Sequence, residues 1–157
     1  MIPLTHHKFS LNLDQNRILK IVDLLTNTEI EKFSHPMTSS DYKIYVVCDK
    51  KRILYIGTTK DPIKTRLRSG LTANGKNGYH GYKWKTLPKV TLFLWNFPEL
   101  DQDQIESVEA ELAFVVRKMT NKWPEFQNEI HFNNKFRPTG QLIAEKLYRQ
   151  MSSSNGS

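Results

Sequence analysis

Four groups of residues carry side chains suited to chemistry. Tyr45 and Tyr55 fall in two consecutive apolar runs, so a hairpin of those runs brings both phenols together. Arg66 follows on the next segment, close to the end of the second run. Residues 75–84 (GKNGYHGYKW) mix His80 with Tyr79, Tyr82, Trp84 and the bases Lys76 and Lys83, and Lys85 lies just beyond. Glu106, Glu109 and Glu111 crowd one acidic segment. Bases interleaved with aromatic rings suit a surface that grips a phosphate backbone and stacks bases. Each group also has a structural explanation. Strand tyrosines pack with a hydrogen-bonded tip, and the loop aromatics serve equally well to close a small core. An exposed helical arginine is ordinarily solvated, a lone histidine is more often surface or core than catalytic, and glutamates near a helix start answer its dipole.

The charge is unevenly spread. The 157-residue chain has a formal net charge of +7. Residues 43–89 hold twelve Lys or Arg against two Asp, whereas residues 99–111 hold six carboxylates and no base. The basic segment reads either as a solvated face or as a phosphate-tracking groove. One cysteine, Cys48, excludes an internal disulfide and zinc sites built from several thiolates; inside the run IYVVC it reads as a buried strand residue. No apolar run approaches the roughly 20 residues a bilayer span needs, so no membrane partner is expected. The first residues lack the basic-then-apolar layout of a signal peptide, which makes the cytoplasm the expected compartment.

The elements that must position these residues follow from periodicity. Leu13 to Phe33 reads as helical, with Asp14 as N-cap and Ile18, Ile21, Val22 and Leu25 on one face. Lys43–Cys48 and Arg52–Ile56 flank the polar turn Asp49-Lys50-Lys51 as an antiparallel hairpin. Alternation puts Tyr45 and Val47 on one face, Ile44 and Val46 on the other. Asp61 caps a helix opened by Pro62, which carries Lys64, Arg66 and Arg68 and stops at Gly70. Lys89–Trp95 is a third strand. Gln104–Met119 is the clearest helix, and a last short one covers Gly140–Met151. The expectation is an α+β fold: a small three-stranded, mostly antiparallel sheet flanked by helices. A helical extension over 1–40 packs on a 41–150 domain, and 151–157 form a disordered tail.

Taken in order, these features resemble the GIY-YIG nuclease family. Lys43-Ile44-Tyr45 and Tyr55-Ile56-Gly57 look like its paired motifs, and Gly57-x-x-Lys60-Asp61-Pro62-x-x-x-Arg66-Leu67 looks like its arginine helix. Gly78-Tyr79-His80-Gly81 resembles the histidine segment of phage homing members. Glu109-Ala110-Glu111-Leu112 resembles the metal-binding helix, and Pro124 to Asn128 resembles the trailing proline-to-asparagine segment. The resemblance covers residues 43 to about 132. It departs at Lys43, which replaces the first glycine, in a slightly short hairpin, and at Gly70, where the family carries Tyr or His one turn beyond the arginine; His80 is a candidate for that role.

The resemblance implies a metal-dependent endonuclease with Tyr45, Tyr55, Arg66, His80 and Glu109 as catalytic residues. Glu109 would hold Mg2+ or Mn2+, because a hard cation that keeps several waters needs few carboxylates. Helical geometry alone places Glu109 and Glu111 on opposite edges of the apolar stripe and leaves the choice between them open; the family pattern favours Glu109. Arg66 would hold the scissile phosphate, Tyr45 would orient or deprotonate the attacking water, Tyr55 would hydrogen-bond water or phosphate, and His80 is an alternative base. Lys60, Lys64, Arg68, Lys76, Lys83, Lys85 and Asn128 would bind nucleic acid, with DNA expected ahead of RNA. A free-standing restriction, defence or mobile-element enzyme is the leading expectation; a toxin-like ribonuclease and a silent binding module are the alternatives. One active site makes one nick, so a double-strand cut needs a homodimer or two events.

Overall fold

The computed structural model describes residues 5–50, 52–127 and 136–155. Six strands form one antiparallel sheet: β1 His7–Asp14, β2 Arg17–Asp23, β3 Thr28–Ile30, β4 Tyr42–Asp49, β5 Arg52–Thr59 and β6 Lys89–Phe97. Their order across the sheet is β3-β2-β1-β6-β4-β5. The helices are α1 Ile63–Thr72, α2 Gln102–Thr120 and α3 Arg137–Asn155, and a 3-10 turn spans Lys83–Thr86.

Six strands overturn the three-stranded expectation, although helices and sheet still make an α+β fold. Where a helical extension over 1–40 is predicted, His7 to Ile30 form a β-meander, and its strand β1 pairs with β6. Two local features explain the misreading. Gln15 and Asn16 both take positive φ (49° and 66°), which closes a two-residue hairpin between Asp14 and Arg17. A bulge then opens the register, so Leu13 faces Ile18 while Leu11 faces Ile21. The extra residue stretches a spacing of two into a spacing of three, which imitates a helix. Leu19, inside that irregularity, is left exposed.

The sheet buries both faces. Phe9, Leu11, Tyr45, Val47 and Leu92 lie with Ile63, Leu67 and Leu71 of α1 on one side. Ile44, Val46, Cys48, Phe93 and Trp95 lie with α2 and α3 on the other. The β4 alternation read from sequence is the one observed. Cys48 is fully buried, and burial pushes its thiol up to about 12, so it stays an inert core residue.

Helix α1 begins after Pro62, which occupies the N-cap position without a side-chain cap, and it runs through Gly70 to Thr72. Helix α2 carries a capping box: Asp101 accepts from the Gln104 N–H at 2.9 Å, and the Gln104 side chain accepts from the Asp101 N–H at 2.9 Å. Helix α3 continues to Asn155, through residues expected in a tail.

Lys43 has no solvent exposure. Its ammonium donates to the carbonyls of Ser39 (2.6 Å), Asp41 (2.8 Å) and Asp61 (3.1 Å), tying the approach to β4 to the start of α1. Burial lowers its pKa, and the charges of Asp41 and Asp61 oppose that shift. Lys43→Met removes the donor from three carbonyls at once, and a loss of about 3 kcal/mol is expected on the scale of orphaned buried polar groups. Urea denaturation reads this loss, and an unchanged midpoint contradicts it.

Candidate functional site: tyrosines around an arginine

Hairpin β4–β5 sets Tyr45 opposite Gly57, with Tyr55 two residues earlier on β5. A second bulge, between Val47 and Cys48, leaves both Leu54 and Tyr55 on the α1 side of the sheet. The rings of Tyr45 and Tyr55 lie 5.9 Å apart. Helix α1 presents Arg66 to the same place, because Ile63 and Leu67 anchor its apolar stripe on the sheet.

The loop after α1 adds two residues to this group. Tyr82 is buried, its ring 5.5 Å from Tyr55 and 6.4 Å from Tyr45. Its hydroxyl lies 2.8 Å from that of Tyr45 and donates to the Arg66 carbonyl at 3.4 Å. The Arg66 guanidinium sits over the rings of Tyr82 (5.1 Å) and Tyr79 (6.0 Å) and donates to the Tyr79 hydroxyl at 3.1 Å. Four phenols thus surround one guanidinium. Tyr45 is fully buried, Tyr55 and Arg66 are half-buried, and Tyr79 is 43% exposed.

The electrostatics follow from that gradient. Burial, then the neighbouring phenols of Tyr82 and Tyr55, push Tyr45 well above the ordinary phenol value, and the Arg66 charge only partly opposes them. Tyr45 therefore keeps its proton at neutral pH and shares a hydrogen bond with the Tyr82 hydroxyl. Burial also raises Tyr82 and Tyr55, again against Arg66. Burial disfavours charge on Arg66 itself, but the surrounding phenols and the Tyr79 hydrogen bond outweigh it and hold the guanidinium charged.

Glu109 lies on α2, across the sheet from α1. It is half-buried, and its charge acts on the Tyr55 phenol, as does that of Arg66. Helices α1 and α2 cover opposite faces, and β5 is an edge strand of the sheet, so both charges bear on one phenol at that edge. Glu111 is buried elsewhere, 3.3 Å from the Arg137 guanidinium; burial raises its pKa and Arg137 opposes the shift. Of the two carboxylates, Glu111 is thus paired with Arg137, and Glu109 is the one whose charge bears on Tyr55.

Other expected site residues lie apart. His80 is exposed; its ring packs against Gly75 and its carbonyl accepts from Lys85 at 3.0 Å. Lys85 also donates to the Ala73 carbonyl at 2.8 Å, which makes it a brace of the loop. Lys60 lies over the Tyr42 ring at 5.3 Å. Lys64 borders a groove against β2 and β3, and Arg68, Lys76 and Lys83 are exposed. Asn128 lies outside the described residues. Tyr82 and Tyr79, read from the sequence as loop aromatics that either grip nucleic acid or close a small core, are not placed around Arg66 by that reading; the signal was two tyrosines next to glycines in the loop.

Raised phenols make a pH prediction. The folded chain keeps the protons of Tyr45, Tyr55 and Tyr82 beyond the free-phenol value of about 10. Stability from these groups is full below that pH and falls as pH rises above it, because the unfolded chain releases protons that the folded one holds. Melting temperature should hold to pH about 10 and then drop, with tyrosinate absorbance rising together with unfolding. Smooth ionisation of these three phenols in the folded protein would contradict this.

Fold and site together define an α+β protein with an arginine-centred tyrosine cluster at a sheet edge. In comparisons with known proteins, no family model, no curated protein and no solved structure matches the chain. Among the described residues, no group of three or more His, Cys, Asp or Glu is placed to hold a metal ion, and no helix is long and apolar enough to cross a membrane.

Proposed function

We propose that the chain is a Mg2+-dependent endonuclease of GIY-YIG type that hydrolyses phosphodiester bonds in DNA. The observation that carries the reading is the Arg66 guanidinium held over the Tyr82 and Tyr79 rings beside the half-exposed phenol of Tyr55; the Glu109 charge bears on that same phenol from α2. A guanidinium held by aromatic rings is a pre-oriented fork for a phosphate, and its charge lies where the pentacovalent phosphorus gathers negative charge. Tyr55 is exposed enough to hydrogen-bond the attacking water or a non-bridging oxygen. Tyr45, behind it and protonated, fixes Tyr55 and Tyr82 in place.

A single carboxylate fits a Mg2+ ion that keeps most of its waters, so Glu109 would hold the ion together with phosphate oxygens of the substrate. Such an ion would supply charge neutralisation on the phosphoryl group. Lys64 and Arg68, one turn apart on the exposed face of α1, add positive charge outside the cluster that would attract a flanking backbone.

The test is a supercoiled plasmid, a single-stranded RNA and a single-stranded DNA, each incubated with the chain and Mg2+ or with chelator. Conversion of plasmid to nicked circles, lost on chelation, is the expected result. Cutting of RNA alone transfers the reading to a ribonuclease, and no cutting of any polymer ends it.

A further inference from the structure

We infer that Tyr82 is the positioning residue of this site, delivered by the loop into a space that helix α1 leaves empty at Gly70. The inference rests on the nuclease reading for its kinetic consequence and on geometry for its structural one. Gly70 lies one turn beyond Arg66 on α1. A methyl group built on Gly70 would overlap the Tyr82 ring, so the ring occupies the volume a side chain at 70 would fill. The loop is locked there by backbone contact. The Tyr82 N–H donates to the Gly70 carbonyl at 3.0 Å. Gly81, at φ +76°, passes so close to that carbonyl that any side chain would collide with it.

Tyr82 touches every part of the cluster that must stay in register. Its ring carries the Arg66 guanidinium on one side. It stacks on the buried Trp84 at 4.5 Å, which fixes its plane. Its hydroxyl donates to the Arg66 carbonyl, so the Tyr45 hydroxyl is left to donate to Tyr82. A relay from Tyr45 through Tyr82 to the backbone of α1 therefore sets the distance between hairpin and helix. Nothing in this arrangement requires Tyr82 to touch substrate.

Two substitutions that alter different atoms should converge on one result. Tyr82→Phe keeps the ring and removes the relay. Gly70→Ala keeps every polar atom and improves helix propensity, but displaces the ring. Both should lower kcat for plasmid nicking about tenfold, the scale of one catalytically relevant hydrogen bond, and leave KM within about twofold. Circular dichroism should match the wild type. Full kcat in either folded variant overturns the inference, as does a loss confined to KM.

A readout that does not depend on cutting separates this inference from the nuclease reading. The side-chain NMR signals of Arg66 should show an upfield ring-current displacement in the wild type, kept in Tyr82→Phe and reduced in Gly70→Ala to what the more distant Tyr79 ring supplies. If the wild type cuts nothing but this pattern holds, the functional reading fails and the placement of Tyr82 stands. If the Arg66 signals are the same in all three proteins, the placement fails.

Discussion

Arg66→Ala should lower the rate of plasmid nicking by about a thousandfold, the scale for losing a pre-oriented donor to transition-state charge. Arg66→Lys should recover little of it. The guanidinium is placed by three contacts: the rings of Tyr82 and Tyr79 and the Tyr79 hydroxyl. A lysine ammonium is a compact point charge that cannot stack flat on those rings or offer a bidentate fork. Arg66 is only half-buried and its helix is anchored by Ile63, Leu67 and Leu71, so both variants should fold. Single-turnover nicking with saturating protein, beside filter binding of the same DNA, separates chemistry from affinity. Glu109→Gln should show a comparable loss that added Mg2+ does not repair. Cutting at the wild-type rate by Arg66→Ala removes the nuclease scheme as drawn.

Gly57→Ala should damage stability and site together. Gly57 faces Tyr45 across the β4–β5 ladder. A methyl there would lie 2.6 Å from Cζ and Oη of Tyr45 and 2.7 Å from Cε2 of Tyr55. Tyr45 has no exposed surface and its hydroxyl is bonded to Tyr82, so its ring has nowhere to retreat without breaking that bond. Overpacking of this kind costs about 2–3 kcal/mol. Nicking should fall further than in Tyr45→Phe, because both phenols move rather than one losing its hydroxyl. Denaturation midpoint and nicking rate, measured on the same preparation, check both parts. Wild-type stability in Gly57→Ala would mean that the rings have room to spare.

The comparison of sequence with structure is uneven for physical reasons. Helix α2 and strand β4 are legible because their buried residues keep one period from end to end, and β5 is legible despite the bulge at Leu54 because it is a short apolar run set off from β4 by polar residues. The β1–β2 hairpin is not, because its turn uses Gln15-Asn16 in place of the usual glycine signal and its bulge resets the period. Yet Phe9, Leu11 and Leu13 alternate cleanly with Ser10 and Asn12, which is a strand signal within reach of a shorter window. The grouping of Tyr45, Tyr55 and Arg66 is visible from the order of elements. Tyr82 is not, because its place depends on a loop folding back onto Gly70, and no linear spacing encodes that approach. His80, singled out for its residue type, packs against Gly75 instead.

Beyond β5, backbone N–H groups of Glu125 and Phe126 donate to the Ile53 and Leu54 carbonyls at 3.1 and 2.7 Å. The Gln127 amide then imitates a peptide unit, accepting from the Ile56 N–H at 2.9 Å and donating to its carbonyl at 3.1 Å. At the opposite border, β3 is only three residues long. Neither rim offers a long bare ladder to a foreign strand, so copies of this chain can crowd together without zipping into fibrils.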